Sequence, residues 1–277
     1  FGVFREHAKR LGGELLATGH YARTEVIDGQ TRLLKATDLN KDQTYFLHAV
    51  SADALSETVF PLGDLGKDEV RRIARDHGLA VHDKRDSTGI CFIGERPFRE
   101  FLSTYLPAAP GPIRTPEGNE VGEHSGLMYY TLGQRQGLGI GGRADAGNAP
   151  WYVVDKAPAD NALIVAQGDT DLLMSDALTA VEPAWINGPP DGLAGGVRCM
   201  AKVRYRQADQ ACVVTESPGR GLSVSFDEAQ RAVAPGQYAV FYDGEVCLGG
   251  AVIDEIHRIR AAGSAIMRAP GGLAGHG

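Results

Sequence analysis

The sequence predicts an α/β unit followed by a small β-containing central domain and a C-terminal β-barrel or sandwich. Three observations carry this. Up to residue 106, amphipathic helical stretches alternate with short apolar runs that end near Gly. From Pro107 the texture turns to PAAPGPIRTPEGNEVGEHSG and then to brief strand-like runs. Beyond INGPPDGLAGG, residues 186–196, four or more β-rich runs follow at close spacing. The boundaries read as 1–106, 107–185 and 186–257, with 258–277 a tail that has little to bury. A length of 277 residues favours two or three domains.

Each element has a local cause. FGVFREHAKRLGG places Val3, Phe4, Ala8 and Leu11 at helical spacing, and Gly12 and Gly13 stop the helix. ELLATGH reads as a short buried strand ending at Gly19 and His20. Two β-rich runs flank Asp28 and Gly29, the dipeptide that supplies the positive φ angles of a tight hairpin. KDEVRRIARDHG, residues 67–78, has acids in its first turn, Val70, Ile73 and Ala74 on one face and a terminal Gly, so it is a helix. LAVH follows as a strand, and Pro97 opens the helix PFREFLSTYL. In the central segment WYVVD and NALIVAQ are strands divided by KAPAD. The last domain offers RCMAKVRYRQ, QACVVTES, GLSVSF and YAVFYDGEVCLGGAVI.

Composition is that of a soluble globular protein, with 43% hydrophobic and 23% charged residues. No apolar run approaches the roughly 20 residues of a membrane span, and a helix replaces any signal peptide, so a cytoplasmic location is expected. The opening on Phe1 suggests an N-terminally incomplete sequence. A net charge of −7 disfavours a polyanionic partner unless a local basic surface exists. Four cysteines, at 91, 199, 212 and 247, form no CxxC pair, so neither a structural zinc site nor a dense disulfide framework is expected.

Several stretches carry candidate chemistry. Cys91, in DSTGICFIGER, is either a small buried hydrophobe or a reactive thiol. Lys84, Arg85 and Arg96 favour the second, because positive neighbours lower a thiol pKa from about 8.5, and Gly89 and Gly94 let the loop bend. Gly19 would let a nucleotide approach the backbone at a strand end, with His20 beside it, although a plain turn is equally consistent. Lys41, Asp42 and Gln43 begin a helix-like segment and read as a solvated first turn. GQRQGLGIGG, residues 133–142, fits no phosphate-loop pattern and reads as a flexible loop. Strand alternation in AKVRYR would place Lys202, Arg204 and Arg206 along one basic ridge opposite Ala201, Val203 and Tyr205, which is equally consistent with a plain solvated strand face and with a surface suited to RNA.

In order, LLATGHYAR, LLKATDLNKDQTYFL, DSTGICFIGER, YYTLGQRQGLGIGG, WYVVDK, AKVRYRQ and PGQYAVFYDGEVCLGGAVI make the chain very similar to the tRNA-specific 2-thiouridylase family over nearly residues 1–257. That resemblance implies a partial α/β domain of the PP-loop ATP-pyrophosphatase type, a small central domain and a C-terminal β-barrel. It implies sulfur insertion at C2 of the wobble uridine (position 34), with ATP, and Mg2+ as its expected companion, consumed to AMP and pyrophosphate. Adenylation turns the poorly leaving C2 oxygen into a phosphate ester, which a sulfur nucleophile then displaces. The resemblance makes Cys91 the carrier of persulfide sulfur received from a donor protein, and Gly19 an ATP contact. It makes His20, Lys41, Asp42, Gln43, Arg204, Tyr205 and Gln237 tRNA contacts. The family's SGGVDSS loop, NPD segment and second catalytic cysteine do not occur in these 277 residues, so the chain as given is expected to be inactive alone. A noncatalytic tRNA-binding module is the alternative. A thiol hydrolase pairing Cys91 with His20 or His82 is weaker, since no pattern ties either to the cysteine.

Overall fold

The computed structural model describes residues 1–80, 82–83, 105, 108–140, 149–168, 170–219 and 221–259. Cys91 with its loop, and all of the expected helix over 97–106 except Tyr105, lie outside the described residues, as do residues 260–277 of the expected tail. The first helix, α1 (Gly2–Arg10), carries His7, Lys9 and Arg10 in its last turn, where the helix dipole favours cations, and Gly12 follows at φ +85°. Arg5 and Lys9 grip Glu57 at 2.5 and 2.7 Å, which holds that carboxyl at about 2. The expected buried strand ELLATGH is reduced to β1 (Leu16–Ala17), which pairs in parallel with β4 (Thr58–Val59). It is not buried, since Leu15 is 62% exposed and β1 has one hydrogen-bonded neighbour among the described residues.

The hairpin forms as expected from β2 (Arg23–Ile27) and β3 (Gln30–Leu34), with Asp28 at φ +52° and Gly29 at +75°. Two short helices, α2 (Thr44–Leu47) and α3 (Ala52–Ser56), precede β4, and the Ser51 hydroxyl caps α3 by accepting from the Ala54 amide. The helix α4 (Lys67–Asp76) also forms, with Gly78 at φ +67° beyond it. Of the expected strand LAVH, Val81 lies outside the described residues, and the described Leu79, Ala80 and His82 are not strand: the His82 amide donates to the Leu79 carbonyl at 3.1 Å, closing a turn just past the helix stop.

The central sheet has the order β6-β5-β8-β7, built from β5 (Gly111–Arg114), β6 (Glu120–His124), β7 (Trp151–Ala157) and β8 (Ala162–Gln167). Ile113, Tyr130, Leu138, Val153, Leu163 and Val165 form its core. The described part of GQRQGLGIGG is pinned rather than loose, because Gly133 and Gln134 exchange backbone hydrogen bonds with Val153 and Leu138 is buried.

A closed six-stranded barrel follows, formed by β9 (Met174–Trp185), β10 (Val197–Lys202), β11 (Gln210–Ser217), β12 (Gly221–Arg231), β13 (Tyr238–Asp243) and β14 (Val246–Arg258). The β13–β14 pairing closes the ring. Alternating inward residues such as Val214, Leu222, Val224, Ala239, Phe241 and Ile253 fill it. Met174–Trp185, grouped from sequence with the central segment 107–185, is hydrogen-bonded on both edges inside the barrel, to β12 and β14. RCMAKVRYRQ is a strand only to Lys202; the Gln207 amide then donates to the Arg204 carbonyl at 3.2 Å in a turn. The N-terminal hairpin joins the same sheet, since β3 pairs with the start of β14 through Leu34↔Val246 and Leu33↔Cys247.

Candidate functional site

Gly19 and His20 stand just past the carboxyl end of β1, the end of a parallel pair at which α/β sheets present ligands. A Cβ built at Gly19 meets nothing within 4 Å, so its backbone is open to a flat ligand, which fits an edge of a nucleotide site. His20 is half-buried, hydrogen-bonded to the Thr18 hydroxyl at 2.7 Å and 5.9 Å from the Phe1 ring; burial lowers its pKa and favours a neutral imidazole. Gln43 fixes this strand end from the other side. Its side-chain oxygen accepts from the Tyr21 amide at 2.9 Å, and its own amide donates to the Tyr21 carbonyl at 2.8 Å.

Asp42 departs from the expected solvated turn. It is 4% exposed, and its carboxylate accepts from the Ala36 amide at 3.1 Å and the Thr44 hydroxyl at 2.8 Å. Lys202 lies 3.8 Å from the same carboxylate and 3.5 Å from Asp209, while Lys35 bonds Asp209 at 2.5 Å and the Gly244 carbonyl at 2.9 Å. Two lysines thus meet two aspartates around the Tyr242 ring, which lies 4.5 and 5.1 Å from the two ammonium groups. Asp42 and Lys35 come from the N-terminal segment and the others from the barrel, so the charges balance across a domain boundary. Neither Lys35, Asp209 nor this network was singled out from sequence. Its members lie up to 174 residues apart, and no local pattern links them.

The basic ridge is not formed. Lys202 is buried in the charge network, and Arg204, past the strand end, donates from one terminal nitrogen to the carbonyls of Leu132 and Ala232. That guanidinium staples the central domain to the barrel. The turn does turn Tyr205 toward the N-terminal segment, where its ring lies 4.4 Å from Phe46 and 6.5 Å from Tyr45. Tyr45 donates its hydroxyl to the Tyr238 carbonyl at 2.9 Å, next to the exposed Gln237. The structure therefore brings Asp42, on one side, and Tyr205, on the other, to a single seam. Lys41 and Gln43 flank Asp42 in sequence, and Gln237 is next to the Tyr238 carbonyl that Tyr45 bonds, while the Arg204 guanidinium is turned to the central domain. A cleft of about 90 Å³ opens in the seam, floored by Asp42 and Lys202 and walled by Leu39, Asn40, Tyr205 and Arg206.

The three described cysteines are buried. Cys199 and Cys212 face each other across β10 and β11 with sulfurs 3.8 Å apart; that contact and burial raise the Cys212 pKa, and burial pushes Cys247 up to about 12. None is an accessible thiolate. Among the described residues no three His, Cys, Asp or Glu side chains gather to hold a metal, and no helix is long and apolar enough to cross a membrane.

Three family models cover the chain. Residues 1–95 match the tRNA methyl transferase HUP domain, 99–167 the tRNA methyl transferase PRC-barrel domain and 175–253 the aminomethyltransferase beta-barrel domain. The last of these begins within one residue of β9, in keeping with that strand's place in the barrel. The chain is 57% identical over 255 residues to the tRNA-specific 2-thiouridylase MnmA of Pseudomonas fluorescens (strain SBW25), covering 92% of this chain and 67% of that protein. The protein of the same name from Pseudomonas syringae pv. syringae (strain B728a) gives the same identity and coverage. That of Marinobacter nauticus is 55% identical over 262 residues, covering 93% of this chain and 66% of the relative. Identity at this level across the α/β segment, the central sheet and the barrel leaves one assignment: the chain belongs to the tRNA-specific 2-thiouridylase MnmA family.

Proposed function

We propose that this chain carries the tRNA-gripping and sulfur-carrying parts of an ATP-dependent tRNA 2-thiouridylase, a sulfurtransferase acting at C2 of the wobble uridine. The observation that carries this reading is the seam itself. Asp42 lines one cleft with Tyr205, about 160 positions away in sequence; just past Gln43, the Tyr45 and Phe46 rings meet the Tyr205 ring, and Tyr45 bonds the Tyr238 carbonyl next to Gln237. Gln43 then ties the seam to the strand end bearing Gly19 and His20, so an RNA lying on the seam would lead toward the proposed ATP edge. Gly19 offers open backbone to a nucleotide. ATP would supply the adenylate that makes the uridine oxygen a leaving group, and Mg2+ is expected with it.

Within this reading the roles divide by accessibility. Arg204, Tyr205 and Gln237 offer exposed or half-exposed groups to RNA, Arg204 being also held by carbonyls of the chain, whereas the buried Asp42 shapes the surface through bonds made to the chain itself. Cys91, outside the described residues, is the proposed carrier of persulfide sulfur delivered by a donor protein. The test uses protein expressed from the full reading frame, given ATP, a persulfide donor and unmodified tRNA, with 2-thiouridine measured by mass spectrometry. Thiouridine should form, and Cys91→Ser should abolish it while leaving tRNA affinity within about twofold. Normal thiolation by Cys91→Ser would refute the carrier role.

A further inference from the structure

Phe46 is out of place for a packing residue. It is 55% exposed, on a four-residue helix whose neighbouring side chains Tyr45 and Leu47 are buried. Its position is nevertheless fixed. The Phe46 amide donates to the Gln43 carbonyl at 3.0 Å, the Tyr45 ring meets it edge-on at 5.6 Å, and the Tyr205 ring leans on it at 4.4 Å and 42°. Arg206 stands 5.8 Å over the same Tyr205 ring, and Leu39, 68% exposed, lies across the cleft. An exposed aromatic face, held by two further rings and flanked by a guanidinium, is expensive to leave in water unless something flat and anionic covers it.

We infer that Phe46, with Tyr205 and Arg206, forms a stacking step for one unpaired base of the bound RNA, the ring face taking the base and Arg206 its phosphate. The inference rests on the proposed tRNA reading and adds to it a residue and a kind of contact. A nucleotide fits better than a protein side chain for two reasons. Aromatic faces accept any base by stacking while a neighbouring cation offsets the phosphate. The step is also continuous with the Lys41–Gln43 segment, which lies on the same seam. A base locked in a duplex has both faces covered, so the step selects splayed nucleotides of a folded RNA over paired helix.

The test compares the full-length parent with Phe46→Leu, which keeps apolar bulk and removes the π face, and with Phe46→Trp, which reports stacking by fluorescence. Phe46→Leu should weaken tRNA binding by about 5- to 100-fold with an unchanged salt slope, and leave binding to a fully paired RNA duplex of equal length as in the parent. Phe46→Trp should retain tRNA affinity, with the added tryptophan emission quenched by tRNA and not by the duplex. Thermal unfolding of both variants should match the parent, so that loss of binding is not loss of fold. The inference is overturned if Phe46→Leu binds tRNA as the parent does, or if tRNA and duplex binding fall together. A parent that binds no tRNA would overturn the functional reading as well, which separates the two failures.

Discussion

Asp42 shows how a residue type misleads when its partners are remote. Between Lys41 and Gln43, ahead of a helix, it reads as a solvated turn acid, yet it is buried, with both oxygens in use and Lys202 at 3.8 Å. Removing it leaves Lys202 and Lys35 facing the single carboxylate of Asp209, and strips acceptors from the Ala36 amide and the Thr44 hydroxyl. Asp42→Ala should therefore cost about 3–5 kcal/mol in urea unfolding. The double variant Asp42→Ala, Lys202→Met should cost less than the sum of the two single changes, because it removes the orphaned charge with its partner. Additive costs would show that the two groups do not sense each other. Arg204 gives the complementary lesson. The alternation of AKVRYR is real as far as Lys202, but the turn that follows carries Arg204 onto carbonyls of the neighbouring domain, and periodicity alone cannot foresee where a strand yields to a turn.

Elements were legible where their cause is local. The Asp28–Gly29 hairpin and the helix at 67–76 follow from backbone preferences confined to a few residues, and both stand where the sequence puts them. Strands were legible as apolar runs, but their partners were not: nothing local says that β9 closes into the barrel, or that LAVH turns at once after Gly78. In β14 the pairing leaves its mark on two glycines. Gly249 sits at φ +147°, and a Cβ there would lie 2.1 Å from the Ala184 carbonyl oxygen of β9; at Gly250 it would lie 2.6 Å from the His48 ring. Both approach neighbours too closely for any side chain. Gly249→Ala should destabilise the protein by at least about 1–3 kcal/mol in denaturant unfolding, since backbone on the facing strand must shift. A variant as stable as the parent would mean that this edge is softer than its geometry.

At the scale of the molecule, the candidate site exists only because distant segments are fastened together. Lys35 and Asp42 reach into the barrel's charges, Arg204 reaches the central domain, and Arg258 donates to the Val154 carbonyl at 2.8 Å. The N-terminal segment and the barrel should consequently unfold as one unit. In a Trp151→Phe background, Trp185 fluorescence, which then reports the barrel, and reactivity of the buried Cys247 thiol, which reports the β3 seam, should change at the same urea concentration when that cysteine is followed by peptide mapping. Separate midpoints would mean that the two regions are independent.

The ladder between β3 and β14 limits how this scaffold can be taken apart. Cutting the barrel free before residue 174 would bare backbone donors and acceptors at Val246 and Cys247 together with the apolar surface that Leu33 covers. An excised barrel would thus offer a ragged margin for any passing strand, and its tendency to clump would follow from what the cut removed, with the barrel's own ring of strands still intact.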